Sequence, residues 1–566
     1  MPAENAGWAF SLVFVDELAR RGVRHAVIAP GSRSTPVALA FLEHPKITVH
    51  VRVDERSAAY LALGIAKATG AVVPVLCTSG TATTYFHAAV MEADLARVPL
   101  LALTADRPPE LHGIGANQTV EQSGLYGNAV RWSYDVPAPA AHPDAVDAWR
   151  ETVRTAVERC LGLPNDPAGP VHLNLALREP LIPIDDGIGF DYDLGLERVR
   201  DLSIAKPAPD TTPDALAAAL TGARNAVVVV GDAVEDYEPI VRWCERVGWP
   251  LIAEPHSNAR RGGSALRAAD ALLRDAAFVD AHRPDLVVVV GRIGLSRQAL
   301  SWLQDTPHVV VSPDGGNWDV TRSARSVLHC SPFTFERLEA ASHQADEGWQ
   351  TAWTDASQRV SHAIDEVLDS TDALTEPRVA RDVARLLRSG AVLVVASSMP
   401  IRDLDLVMEP RDDITVYANR GVSGIDGFVS SAQGVAIGND GDPTVALCGD
   451  LSLLHDSNGF IRGAEAQPDL TYVVINNDGG GIFSLLPQGD AVEPAAFERL
   501  FGTPHGVSLE ALAAAYGVAH QLVSSAGELA DALSTFDGLR IVEVRTDRAE
   551  NAELHARLRE ITAGTA

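Results

Sequence analysis

The chain reads as an α/β protein of three doubly wound, parallel-sheet domains, and three observations carry that expectation. Its 566 residues are too many for one hydrophobic core and suit about three to four domains at roughly 100–200 residues each. Short runs of Val, Ile, Leu and Ala recur without polar alternation, as in strands buried on both faces of a parallel sheet. Each run ends in a turn with Gly or a small polar residue, and a helical stretch follows. Joins at 186–212, punctuated by PAP and TTP, and at 331–375, polar and helical, separate three such blocks. The expected domains are 1–190, 205–340 and 370–566.

In the first block, 25–29 (HAVIA) runs into PGSRSTP and then a helix. Residues 48–53 (TVHVRV) end at Asp54-Glu55, before the helix ERSAAYLALGIAKA. Residues 72–77 (VVPVLC) end at TSGTAT, and 100–104 (LLALT) ends at ADRP. The second block offers strands at 226–230, 250–253, 286–290 and 308–311. The third offers 391–395, 414–417, 444–448, 471–475 and 540–544. Ligands of open parallel sheets bind beyond the carboxyl ends of the strands, so these turns are where chemistry is expected.

Composition narrows the classes. The formal charge is −29, which disfavours non-specific binding to nucleic acid or an anionic membrane. Five cysteines, an odd number with no CxxC spacing, predict reduced, buried thiols rather than disulfides or a zinc ribbon. No secretory signal is visible in MPAENAGWAF, and no apolar run reaches the ~20 residues of a membrane span. A cytoplasmic location is expected. Only three of the 46 basic residues are lysine, and arginine grips carboxylates in a two-pronged way that lysine does not.

The third block carries the most specific signal. Strand TVALC runs into Gly449-Asp450-Leu451-Ser452, and strand TYVVI runs into Asn476-Asn477-Asp478-Gly479-Gly480-Gly481. Either alone is an ordinary turn. Together, on consecutive strand ends, they place a carboxylate and an amide oxygen at one sheet edge, hard donors that suit Mg²⁺ held against phosphates. The glycines allow close approach of backbone to metal and phosphate. This pair resembles the thiamine diphosphate motif, GD followed by NN, with Leu451 standing where many family members have Gly. The resemblance implies Asp450, Asn477 and the carbonyl of Gly479 as ligands of Mg²⁺ (Mn²⁺ as a substitute), with Leu451 and Ser452 at the diphosphate. It also implies a role for Glu55: VDERSAAYLALGIAKATG is similar to the family's glutamate helix, whose carboxyl group bonds the cofactor's aminopyrimidine. By itself Glu55 would be a helix N-terminal acid favoured by the macrodipole. Three α/β blocks without a GxGxxG, the middle one carrying only Gly291-Arg292-Ile293-Gly294, resemble the pyruvate-oxidase type of architecture, and nothing argues for a flavin.

Four arginines stand at strand exits: Arg33 in PGSRSTP, Arg107 in ADRPP, Arg402 in SSMPIR and Arg420 in NRGVSGIDG. They point to carboxylate-rich substrates. With them, APGSRSTP, DERSAA, TSGTA, LTADRPPEL, NRGVSGIDG, GDLS and NNDGGGIFSLLP resemble the 2-succinyl-5-enolpyruvyl-6-hydroxy-3-cyclohexene-1-carboxylate synthase family of menaquinone biosynthesis. The resemblance is dense in the first and third blocks and weak in the middle, where GRIGLSRQALSW makes Arg297 a candidate substrate contact. It implies decarboxylation of 2-oxoglutarate and addition of the succinyl-semialdehyde carbanion to isochorismate. Ser32, Arg33, Arg107, Asn117 and Gln118 would serve isochorismate, and Arg402 and Arg420 the 2-oxoglutarate-derived part. Thr81, Ser398 and Ser423 would lie at the cofactor, Ile425 would bend it, and Ile482 and Phe483 would wall it. The first domain would bind the pyrimidine and the third the diphosphate and metal. A homodimer or homotetramer with active sites at the subunit interface is implied as well. His87 and His455 read as structural. An acetolactate-synthase-like carboligase is the rival enzyme, disfavoured because it needs an apolar acceptor pocket. A non-catalytic paralogue is disfavoured because Glu55, Asp450 and Asn477 are all present.

Overall fold

A computed structural model describes residues 6–140, 142, 144–163, 166–182, 213–439, 441–535, 537–562 and 564. The first expected join, 186–212, lies outside them. The strands form three sheets in which every strand pairing is parallel. The first sheet holds β1 (His25–Ile28), β2 (Thr48–Val51), β3 (Val73–Cys77), β4 (Leu100–Asp106), β5 (Trp132–Val136) and β6 (Val171–Ala176), in the order β2-β1-β3-β4-β6-β5. The second holds β7 (Ala226–Val230), β8 (Leu251–Ala253), β9 (Leu286–Val290), β10 (His308–Val311) and β11 (Val327–Leu328), in the order β11-β10-β9-β7-β8. The third holds β12 (Val392–Val395), β13 (Thr415–Ala418), β14 (Thr444–Gly449), β15 (Leu470–Asn476), β16 (Ala519–Val523) and β17 (Leu539–Arg545), in the order β13-β12-β14-β15-β17-β16. The first and third sheets are therefore wired identically.

Unalternating strands are explained by their two covered faces. On β1, Ala26 and Ile28 join a core with the helices Ala6–Arg20 and Ala145–Cys160. Val27, one residue along, faces the helices Glu55–Thr69 and His87–Ala96. On β7, Val227 and Val229 face one core and Val228 and Val230 the other. Each Val or Ile among them contributes about 1.5–3 kcal/mol when fully buried, which a polar residue on either face would forfeit. All five cysteines are free and buried.

By contacts the described residues group into two compact units. One comprises the described residues within 1–208, 421–441 and 455–468, and the other those within 209–420, 442–454 and 469–566. The helix Phe428–Gly438 belongs to the first because it lies against the Glu55–Thr69 helix. A Cβ on Gly64 would come within 2.2 Å of the Ser431 carbonyl oxygen, and one on Gly434 within 2.2 Å of the Leu61 carbonyl oxygen. Only glycine permits two helix backbones to approach so closely.

In the second sheet the strand order reverses between β7 and β9, the place where a doubly wound sheet opens a ligand crevice. Here the two loops close on each other. Asp232 and Arg292 exchange backbone hydrogen bonds of 2.7 and 2.9 Å, and a Cβ on Gly231 would lie 2.1 Å from the Arg292 carbonyl oxygen.

Candidate active site

In the first unit the site begins at Glu55. Asp54 caps the helix, its Oδ1 accepting from the backbone N–H of Arg56 at 2.9 Å and of Ser57 at 3.3 Å, and its Oδ2 accepting from Asn458. The cap fixes the first turn and leaves Glu55 half-exposed. Among the described residues the Glu55 carboxylate takes no hydrogen bond or ion pair. A carboxylate held at a helix start with free oxygens fits the acid that an aminopyrimidine needs opposite it.

The loops after β1 and β4 bring Arg33 and Arg107 together. Arg33 is buried, donating from Nη1 to the Leu177 carbonyl at 2.9 Å, with Nη2 3.6 Å from the Glu179 carboxylate. Its Nε and the Nη1 of Arg107 are buried without a hydrogen-bond partner. Burial first, and then the Arg33 charge, holds the Arg107 guanidinium below its usual pKa. Buried cationic nitrogens without an acceptor are costly, and these two could take an anion's oxygens. Ser32 and Asn117 are exposed beside these loops in the sequence. Gln118, with φ +56°, donates to the Ser79 carbonyl at 2.9 Å. That ties the 117–118 loop to the Ser79–Thr81 turn. Ser423 (φ +62°) and Ile425 lie in the loop before the Phe428–Gly438 helix.

In the second unit Asp450 follows β14 and Asn477 follows β15, and the register pairs Gly449 with Ile475. Asp450 is buried; Oδ1 accepts from Leu451 N–H at 2.6 Å and Oδ2 from Gly479 N–H at 3.0 Å. Burial raises its pKa. His505 Nε2 sits 3.3 Å from Oδ2. Asn477 donates from Nδ2 to Glu376 Oε1 at 2.8 Å, which leaves its Oδ1 buried with no hydrogen-bond partner. A desolvated carboxylate beside an orphaned amide oxygen fits a hard cation. No group of three or more His, Cys, Asp or Glu side chains that could hold a metal exists among the described residues. A set of one carboxylate, one amide and one carbonyl would not form such a group. Gly479 adopts φ +142°, and a Cβ there would lie 2.0 Å from the Gly502 carbonyl oxygen. Asn477 and His505 line a cavity of about 400 Å³. Ser452 is buried, Leu451 half-buried, and Ile482 and Phe483 half-buried, Phe483 packing on Phe501.

Three of the expected arginines meet in this unit. Burial, then Arg420 and Arg297, lowers the pKa of Arg402. Arg402 donates to the Ser398 carbonyl and Arg420 to Ser397 Oγ at 3.1 Å. Ser398 holds φ +74°, a conformation that persists only where surroundings over-determine it. Arg297 begins the helix Arg297–Gln304. Glu254 accepts from Gly294 and Leu295 N–H at 2.7 and 2.8 Å, which fixes the loop leading to Arg297. Arg292 donates to the Arg420 carbonyl at 2.7 Å.

Glu376, His505, Glu254 and Arg292 are site-supporting residues that sequence reasoning missed. None belongs to a motif, and Glu376 is 101 residues from the amide it orients. The only available signal was the acid at a helix start, which marks many unrelated helices.

Family comparison agrees with this geometry. Residues 10–125 match the thiamine pyrophosphate enzyme N-terminal TPP-binding domain, 212–395 the middle domain, and 407–544 the C-terminal TPP-binding domain. The fold is that of benzoylformate decarboxylase from Polynucleobacter necessarius, with a TM-score of 0.69 at 19% identity over 95% of this chain and 98% of that one. Fold and site thus define a thiamine pyrophosphate enzyme. Proteins named 2-succinyl-5-enolpyruvyl-6-hydroxy-3-cyclohexene-1-carboxylate synthase from Thermobifida fusca and Saccharopolyspora erythraea are 47% and 43% identical, each over 99% of both chains. One from Chloroflexus aurantiacus is 40% identical over 95% of this chain and 93% of its own. The chain belongs to the 2-succinyl-5-enolpyruvyl-6-hydroxy-3-cyclohexene-1-carboxylate synthase family.

Proposed function

We propose that the chain decarboxylates 2-oxoglutarate and adds the resulting succinyl-semialdehyde carbanion to isochorismate. The products are 2-succinyl-5-enolpyruvyl-6-hydroxy-3-cyclohexene-1-carboxylate and CO₂. The observation that carries the substrate assignment is the Arg33–Arg107 pair with its unpartnered buried nitrogens. A pyruvate-type apolar acceptor would leave Arg33 Nε and Arg107 Nη1 without an acceptor, whereas isochorismate brings two carboxylates.

When bound, thiamine diphosphate supplies a nucleophilic carbon that takes up the keto carbon and holds the electron pair left by CO₂. Asp450, Asn477 Oδ1 and the Gly479 carbonyl would hold Mg²⁺, or Mn²⁺ in its place, with Leu451 and Ser452 at the diphosphate. Glu55 would exchange a proton with the aminopyrimidine nitrogen. Thr81, Ser398 and Ser423 would orient the cofactor, and Ile425, Ile482 and Phe483 would shape it and exclude water. Arg402, Arg420 and Arg297 would hold the carboxylate that survives decarboxylation. Arg33 and Arg107, with Ser32, Asn117 and Gln118, would hold isochorismate.

The same reading assigns 1–190 to the pyrimidine, 205–340 to a central domain and 370–566 to diphosphate and metal. It takes the assembly as a homodimer or homotetramer with active sites at the subunit interface. Exposed Tyr85, Met91 and Ile114 in the first unit support a covering second copy. A cytoplasmic location fits the buried thiols, and no described helix is long and apolar enough to cross a membrane. The test is reconstitution with thiamine diphosphate, Mg²⁺, 2-oxoglutarate and isochorismate. Consumption of isochorismate that depends on 2-oxoglutarate is expected. Turnover of pyruvate with isochorismate untouched would overturn the assignment.

A further inference from the structure

Glu92 lies in the helix His87–Ala96 and is 1% exposed. Its two carboxylate oxygens accept from consecutive backbone amides, Gly421 N–H at 2.8 Å and Val422 N–H at 2.7 Å. Lys67 Nζ, from the Glu55–Thr69 helix, stands 3.7 Å away. A Cβ on Gly421 would lie 2.5 Å from the Glu92 carbonyl oxygen, so the loop is pressed against the helix backbone as well. Two successive N–H groups converge on one anion only when the backbone turns to form a concave nest. The residue after them, Ser423, accordingly holds φ +62°. At the far end of the loop, Tyr60 Oη donates to Asp426 Oδ2, and Gly427 (φ +66°) lies against the Tyr60 ring. The segment 421–427 is thus pinned at both ends, and Ser423 and Ile425 lie between the pins.

We propose that Glu92 is a positioning residue for the reaction: its carboxylate, accepting from Gly421 and Val422, sets the conformation in which the 421–427 loop presents Ser423 and Ile425 to the cofactor. This rests on the reading of Ser423 and Ile425 under Proposed function. A carboxylate is required because each amide takes its own acceptor oxygen and both bonds are charge-assisted. Glutamine would keep one acceptor and turn an NH₂ group against the second N–H.

The test uses the full-length protein with Mg²⁺. In Glu92→Gln, hydrogen exchange should quicken in the peptide spanning 419–427 and stay unchanged in the sheets. Thiamine diphosphate affinity, read from quenching of tryptophan fluorescence, should fall about 10-fold, at the lower end of what loss of a supporting hydrogen bond does to a site. At saturating cofactor kcat should fall while KM for isochorismate holds. Tyr60→Phe, which keeps the ring against Gly427, should loosen the other end and weaken cofactor binding less. It serves as the second readout if Glu92→Gln folds poorly. Unchanged exchange at 419–427 in both variants would overturn the clamp. Faster exchange with wild-type cofactor affinity and kcat would overturn the loop's role in the reaction. A wild-type protein that binds cofactor yet ignores isochorismate would instead defeat the substrate reading, and the exchange and affinity outcomes would still decide the clamp.

Discussion

The first and third sheets share one strand order and carry different chemistry at their exits. Beyond β2 and β4 of the first stand Glu55, half-exposed and without a hydrogen bond or ion pair among the described residues, and Arg107, with a buried nitrogen unpartnered. Beyond β14 and β15 of the third stand Asp450, with both oxygens already bonded to backbone N–H, and Asn477, locked by Glu376. The topology sets where loops converge, and the loop residues decide what is held there. The third-sheet exit is preorganised by the chain itself. The first-sheet exit leaves Glu55 and one nitrogen each of Arg33 and Arg107 without a partner among the described residues.

That contrast ranks the expected effects. Asp450→Asn removes the charge from a prearranged site and should weaken Mg²⁺-dependent cofactor binding by more than ~100-fold, beyond the range for supporting residues. Calorimetric titration checks it, and near-normal binding would mean that the third-sheet exit is not the metal site. Glu55→Gln should lower kcat ~10²-fold or more while cofactor affinity changes little, since the side chain is asked for proton exchange rather than grip. An equal loss of affinity would erase the distinction between the two exits. Arg107→Ala should raise KM for isochorismate roughly 10-fold or more, the scale of one charged hydrogen bond, with cofactor binding intact. Steady-state kinetics with each substrate varied would show whether 2-oxoglutarate is affected instead.

The smallest effect concerns the second sheet. Burial pushes the Glu254 carboxyl up to about 7 from its usual 4.5. Between those values the folded chain keeps a proton that the unfolded chain has released. Its contribution to stability is therefore full below about pH 4.5 and is lost as pH rises through about 7. Glu254→Gln should flatten the fall of Tm across that window. Curves parallel to wild type would show that the carboxyl group is ionised when folded.

Much of this molecule was legible in its sequence, and the gaps have physical causes. The apolar strands β7, β9, β12 and β14 announce themselves because both faces are buried. The strand β6 was missed because His172 and Asn174 interrupt its apolar run. Both are buried in a hydrogen-bonded network with Thr104, and burial pushes His172 down to about 4. The strands β5 and β16 lie at sheet edges and are largely polar and exposed. Motifs at strand exits were legible because their residues are contiguous. Glu92 was not, because its partner amides lie 329 and 330 residues away and no local pattern marks a carboxylate that binds backbone. The assignment of 421–441 to the first unit was equally hidden, since it depends on a glycine from each of two distant helices.

That glycine crossing bears on how variants of this chain should be read. Gly64 and Gly434 carry no chemistry and would pass for interchangeable small residues. Yet a single added methyl group on either meets backbone, which has no rotamer to swing aside. The helices would have to part, and the Glu55–Thr69 helix carries Glu55, the proposed catalytic acid, at its start. A harmless-looking Gly→Ala change there would leave every reactive group present and the enzyme misassembled, a lesion that an inventory of catalytic residues would score as silent.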